Sequence, residues 1–168
     1  MITPPPIFHT GFHKTGTTFL QRAFWPRVEA GAFDYPRSNA IKATLLEPYA
    51  RCFDGAQARC DIEALTGRRF FICSGEEFSG NPRLGGFHGL ATEASYRRIA
   101  ASFPEARVVV FLREQTDLLK SLYMQYVRKG GTGTIQQLVE PHERNRLLNF
   151  GFSYEYYEYD LFVAFLHE

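Results

Sequence analysis

GFHKTGTTFL, residues 11–20, is the stretch on which the reading of the whole chain turns. Gly11 and Gly16 have the spacing of the phosphate-binding pattern GxxxxGK[ST], and Thr18 fills its final Ser/Thr position. Thr17 occupies the lysine slot, and the only lysine of the stretch, Lys14, precedes the second glycine. Upstream, Pro4-Pro5-Pro6 cannot donate ladder hydrogen bonds, and residues 7–12 read as a short strand. From Gly16 the pattern turns helical, with Phe19, Leu20, Ala23 and Phe24 on one face and Pro26 as the stop. Strand, glycine-bearing loop, helix is the context a phosphate loop requires.

The chemistry rests on backbone donors. The first turn of a helix leaves its N–H groups unpaired and carries about half a positive charge. Gly16 lets an anion approach without a Cβ in the way. The N–H groups from Thr15 to Thr18 can surround one phosphate, with the Thr17 and Thr18 hydroxyls adding contacts. Lys14 leads the turn, where it can lie over the bridging oxygen of a group attached to that phosphate. A cation there stabilises a departing anion.

The rest of the 168-residue chain is read as one domain, residues 1–168. A hydrophobic share of 45% supplies a core, and a formal net charge of +1 argues against a general nucleic-acid binder. Cys52, Cys60 and Cys73 form no CxxC pair and are expected as reduced thiols, Cys73 in the core. No N-terminal leader pattern and no membrane-length apolar run occur, so a soluble, cytoplasmic protein is expected. Residues 31–36 form a candidate second strand, 41–52 and 57–65 candidate helices, and 69–74 a buried strand. Residues 79–90 read as a loop, 92–103 as a helix capped by Thr92, and 107–112 as a uniformly apolar strand covered on both faces. Helices are expected at 116–129, closed by Gly130-Gly131, and at 134–150 and 153–167. This alternation implies an α/β fold, a three-layer parallel sheet with helices on both faces. Phe152, Tyr156, Tyr159, Val163 and Leu166 make an apolar stripe at the chain's end. Either this helix docks back on the sheet, or the chain stops short of a longer protein's end; the stripe also suits a homo-oligomer contact.

A second anion site follows from strand 107–112. It delivers Arg113 to the carboxyl edge of the sheet, where ligands bind in open α/β folds. Ser121 lies eight residues on, a little over two helical turns. Arginine plus serine offers a fork of donors and a hydroxyl to one phosphate.

Gly11-Phe-His-Lys-Thr-Gly-Thr-Thr18 resembles the 5′-phosphosulfate loop of sulfotransferases that use 3′-phosphoadenosine 5′-phosphosulfate (PAPS). Arg113 with Ser121 resembles the same family's 3′-phosphate site, and the YPR at 35–37 and VRKGG at 127–131 are similar to runs in bacterial members. The resemblance covers most of residues 7–140. It implies a P-loop nucleotide-binding α/β fold and transfer of a sulfuryl group from PAPS to a hydroxyl or amine. On this mapping Lys14 contacts the bridging oxygen between phosphate and sulfate. Thr15, Gly16, Thr17 and Thr18 hold the 5′-phosphate, while Arg113 and Ser121 hold the 3′-phosphate. Two departures stand out. Members often carry a proline two residues after the strand's arginine, where this chain has Gln115. Family chains also add a later strand, adenine contacts and a basic glycine-containing loop, which the sequence does not display.

A hydroxyl acceptor needs a proton acceptor within reach. Strand 69–74 ends in Ser74-Gly-Glu-Glu77, so Glu76 is the first candidate base and Glu77 the second; adjacent residues, they point in different directions. His13, inside the loop, is a candidate sulfate contact. His9 is expected to be buried or edge-facing, His88 is a candidate for an acceptor pocket, and His142 and His167 are expected to be solvated. No residues show metal-ligand spacing, and in-line transfer needs no metal. The sequence leaves the acceptor open among carbohydrate, lipid, peptide and small metabolite, since its pocket comes from variable loops; a small molecule or carbohydrate is the partner expected. Two rival readings remain: a P-loop kinase or NTPase, disfavoured because strand 107–112 ends in an arginine and not a magnesium-binding carboxylate, and a non-catalytic nucleotide-binding or interaction module.

Overall fold

Five residues, Ile7–Gly11, form the central strand β1. Their alternation sends Phe8 and Thr10 to one face and His9 to the other, and all three are buried. In this computed structural model, which describes residues 4–27, 38–67, 70–80, 90–139 and 155–167, β1 pairs in parallel with β2 (Ile72–Ser74) and β3 (Arg107–Phe111), giving the order β2-β1-β3. Phe8 lies opposite Cys73 on one side and Val108 on the other. The fold is mixed α/β with a parallel sheet, as the alternation of elements implied.

Seven helices are described. The loop helix α1, Thr17–Phe19, passes into a π turn at Leu20–Phe24 and a 3₁₀ turn at Trp25–Arg27. The helix expected from Gly16 thus holds α geometry for one turn only, and Pro26 sits inside the 3₁₀ turn. Proline offers no N–H to continue an α ladder, and π turns cluster near functional sites. Phe19 and Phe24 point outward. α2 runs Ser38–Leu46, ending before Pro48, so that only Ala50–Cys52 of the remaining expected helix is helical, as a 3₁₀ turn. α3, Gly55–Thr66, is bounded by Asp54, whose carboxylate accepts from the N–H groups of Ala56 and Gln57.

α4 spans Leu90–Ser102. It begins ahead of Thr92, which is no cap: its hydroxyl donates to the Ser79 carbonyl at 2.9 Å and pins the helix to the turn after β2. α5, Gln115–Arg128, starts at Glu114, whose carboxylate accepts from Thr116 and Asp117 N–H. α6 is Ile135–Val139 and α7 is Tyr159–Leu166. The strand expected at 31–36 and most of the 79–90 loop lie outside the described residues, as do 140–154. No helix among the described residues is long and apolar enough to cross a membrane.

The main core gathers Phe8 and Cys73 from the sheet with Ile41, Ile62 and Ile99 from α2, α3 and α4, and Phe103 just past α4. Phe8 meets Phe71, Phe78 and Phe103 at ring separations of 5.8, 5.9 and 6.1 Å. A second cluster joins Phe12, Leu118, Tyr156 and Tyr157. The terminal helix packs back on the fold: Phe162 lies 5.2 Å from Phe12 and 5.4 Å from Tyr96. The packed face is Phe162, Phe165 and Leu166, while Val163 is exposed. Cys73 is buried, and Cys52 and Cys60 are exposed free thiols.

β3 corrects the sequence reading. It is an edge strand, with Val108, Val109 and Phe111 between 37% and 40% exposed. An apolar run records a tendency to be buried; the neighbours that do the burying come from topology, and none of the described residues pairs with the outer edge of β3.

Candidate functional site

The carboxyl ends of β1, β2 and β3 converge on one edge of the sheet because all three strands are parallel. After Gly11, buried Phe12 anchors the chain and the loop turns over His13–Gly16. The Thr15 hydroxyl donates to the Phe12 carbonyl at 2.7 Å and closes the turn. Two residues of the loop are left-handed, Gly16 at φ 92° and Lys14 at φ 71°. Glycine adopts that region freely. Lysine does so at a cost of about 1–2 kcal/mol, and such strain clusters where a loop is shaped for function. Arg113 supports it: Nη1 donates to the Lys14 carbonyl at 3.1 Å, across 99 residues of chain.

Glycine has no side chain to cap the helix start at Gly16, so among the described residues no side-chain cap meets the first-turn N–H groups. Thr17 is 2% exposed, and its hydroxyl has no partner among the described residues. A buried, unpaired hydroxyl costs free energy. Thr18, by contrast, is exposed.

Beside the loop lies a groove of about 640 Å³ that Lys14, Arg113 and Ser121 line together. Asp117 and Lys120 belong to it as well, their charged groups 3.5 Å apart. Of the two anion sites read separately in the sequence, Lys14 from the first and Arg113 and Ser121 from the second thus line one groove, whereas Thr15, Gly16, Thr17 and Thr18 are not among its lining residues. Arg128 and Lys129 also line the groove. The sequence reading noted them only within VRKGG, and their order along α5 was the available signal: Ser121, Gln125 and Arg128 share a helical face.

The two glutamates diverge, as adjacency implied. Glu76 Oε1 sits 3.1 Å from His13 Nδ1, while His13 Nε2 donates to the Gly80 carbonyl at 3.1 Å. His13 thus bridges the loop and the turn after β2. The His13 hydrogen bond, with smaller contributions from the Lys14 and Lys42 charges, holds the Glu76 carboxyl below the usual range against the opposing effect of burial. A carboxylate held down in this way is a weaker proton acceptor. Glu77 turns to Lys42, at 3.1 and 3.2 Å. His9 lies under the site, 1% exposed, its Nδ1 2.8 Å from Ser74 Oγ, and burial lowers its pKa. His88 and His142 fall outside the described residues, and His167 is exposed.

The Glu76 pairing has a pH consequence. A carboxyl with a folded pKa below its unfolded value adds stability that is complete above the unfolded value and fades as pH falls through the folded one. His13→Gln is expected to raise the Glu76 pKa toward that of a free carboxyl, measured by carbon-detected NMR titration. An unchanged titration would show that His13 does not hold this proton off.

Comparison with protein-family models, with curated proteins and with solved structures gave no significant match to this chain.

Proposed function

We propose that this chain is a P-loop-type sulfotransferase that takes PAPS as donor and moves its sulfuryl group to a hydroxyl or amine. The observation that carries this reading is that Lys14, Arg113 and Ser121 line one groove. The N–H groups of Thr15 to Thr18 and the orphaned Thr17 hydroxyl hold the donor's 5′-phosphate. Arg113 and Ser121 hold the 3′-phosphate. The acceptor oxygen attacks sulfur in line, and the bond from sulfur to the bridging oxygen breaks. The electron pair goes to that oxygen, which leaves on 3′,5′-adenosine bisphosphate while Lys14 neutralises the forming charge. The acceptor's proton passes to Glu76, with Glu77 as the second candidate. Because His13 engages Glu76, that transfer requires the acceptor to displace the imidazole from the carboxylate.

Calorimetry tests the reading. The chain is expected to bind 3′,5′-adenosine bisphosphate in preference to ATP–magnesium. Arg113→Ala should weaken the bisphosphate about tenfold or more, since a hydrogen bond to a charged group contributes about 1.5–3 kcal/mol. Preference for ATP–magnesium would instead assign a kinase or NTPase. Bisphosphate binding without transfer to any acceptor would assign a non-catalytic nucleotide-binding module.

A further inference from the structure

Tyr156 comes from the far end of the chain and spans the loop and the turn after β2. Its buried ring packs edge-on, 5.2 Å from Phe12 and 4.8 Å from Tyr157, and Phe12 directly precedes His13. Its hydroxyl donates to the Ser79 carbonyl at 2.5 Å and lies 3.2 Å from the Gly80 carbonyl. A hydroxyl has one proton, and the shorter distance gives it chiefly to Ser79. The Gly80 carbonyl is also the acceptor of His13 Nε2. One side chain therefore touches both ends of the contact that anchors His13. A buried tyrosine needs a partner for its hydroxyl, but that need does not require it to bracket this contact.

The turn that carries Glu76 depends on these donors. Glu76–Ser79 is a 3₁₀ turn closed by the Gly80 N–H on the Glu77 carbonyl at 3.0 Å. Gly80 is left-handed at φ 82°, and a glycine is reoriented at little steric cost, so hydrogen-bond donors decide where its carbonyl points. α4 and β1 hold Ser79 from one side. Thr92 donates to its carbonyl, and its hydroxyl lies 3.3 Å from that of Tyr96, which donates to Thr10 Oγ1 at 2.6 Å. Among the described residues, the side chains on the Gly80 carbonyl are His13 and Tyr156. The groups facing Glu76 are His13 and Lys14 from the loop, Lys42 from α2 and Tyr156 itself. Burial pushes the Tyr156 phenol up, so it stays a donor throughout the range in which a carboxyl titrates.

We propose that Tyr156 is a positioning residue for Glu76, acting through the Ser79–Gly80 turn and His13, so that docking of the terminal segment sets how firmly the candidate base is engaged. Its consequence for transfer rests on the reading of Glu76 as base given above. While the turn is pinned, His13 is anchored at Gly80 and occupies the carboxylate. When the turn relaxes, His13 loses that anchor, and Glu76 returns toward an ordinary carboxyl. Tyr159 and Phe162 seat the same segment on Phe12, at ring separations of 4.9 and 5.2 Å. The segment that completes the second core cluster therefore also carries the hydroxyl that reaches the turn.

The test is a carbon-detected NMR titration of Glu76 in the full chain. Tyr156→Phe keeps the ring on Phe12 and removes only the hydroxyl. It should move the Glu76 midpoint upward, the direction expected for His13→Gln. In the His13→Gln background the same substitution should add nothing, because both act along one route. Tyr159→Phe, which takes a hydroxyl of the same segment from the Arg113 carbonyl, should leave the midpoint in place. Phe12→Leu loosens the seat of the Tyr156 ring and keeps its hydroxyl; it should shift the midpoint the same way, and it decides the matter if Tyr156→Phe does not fold. In transfer assays the acidic limb of the pH–rate profile should follow the midpoint upward. An unmoved midpoint in Tyr156→Phe, a further rise on top of His13→Gln, or an equal rise in Tyr159→Phe would each overturn the proposal. A raised midpoint in a chain that transfers nothing, or whose acidic limb stays put, removes Glu76 from the reaction and leaves Tyr156 as the residue that positions it.

Discussion

Lys14→Ala is expected to abolish sulfuryl transfer and leave the chain folded. Removing one preorganised group that stabilises developing charge costs about 10²–10³ in rate, and Lys14 is the only such cation within the loop itself. The fold should not respond, because Lys14 is partly exposed, belongs to neither buried cluster and contributes its carbonyl, which alanine retains, to the Arg113 contact. Alanine also keeps the Cβ that makes φ 71° costly. Lys14→Gly removes it, so glycine should equal or exceed alanine in stability, by up to about 1 kcal/mol after its unfolded-state entropy is counted. Transfer assays and thermal melts on both variants separate charge from backbone. Rates within a few-fold of the unmodified chain would remove Lys14 from the chemistry. A melt lowered by alanine and restored by arginine would make it a structural cation instead.

The largest expected loss of stability comes from Phe8→Ala. Phe8 is fully buried on the central strand and meets three aromatic rings. Truncating such a side chain costs about 3–5 kcal/mol, transfer and cavity together, from a total near 5–15 kcal/mol for an ordinary domain. The site should fail with it. β1 is hydrogen-bonded on both sides and leads directly into His13–Gly16, so losing its packing releases the loop from Arg113 and Glu76 alike. Urea denaturation followed by tyrosine fluorescence measures the cost. A loss under about 1 kcal/mol would mean that the core is organised around other residues.

The strand at residues 7–11 and the helix start at Thr17 were legible because their signals are local: apolar residues for a strand, a glycine at the turn, and helix-compatible residues after it. Asp54 and Glu114, each two to three residues from the N–H groups it caps, belong to the same class, although only the helices they start were expected. The loop's strain was not legible. Nothing in the neighbours of Lys14 announces a left-handed lysine, because Arg113, which supports it, arrives from β3.

What the amino-acid order determined by itself was a strand followed by a glycine-bearing turn, with Lys14, Arg113 and Ser121 as the cations and hydroxyl expected near it. Tertiary structure alone decided that these three line one groove, that β3 is the edge of the sheet, that His13 engages Glu76 while Lys42 takes Glu77, and that Arg128 and Lys129 face the same space as Lys14. The physical reason is that periodicity and capping act over a few residues, whereas a charge finds its partner only after parallel strands bring their carboxyl ends to one edge. That convergence is set by packing around Phe8 and Phe12, far in sequence from most of the charges it brings together.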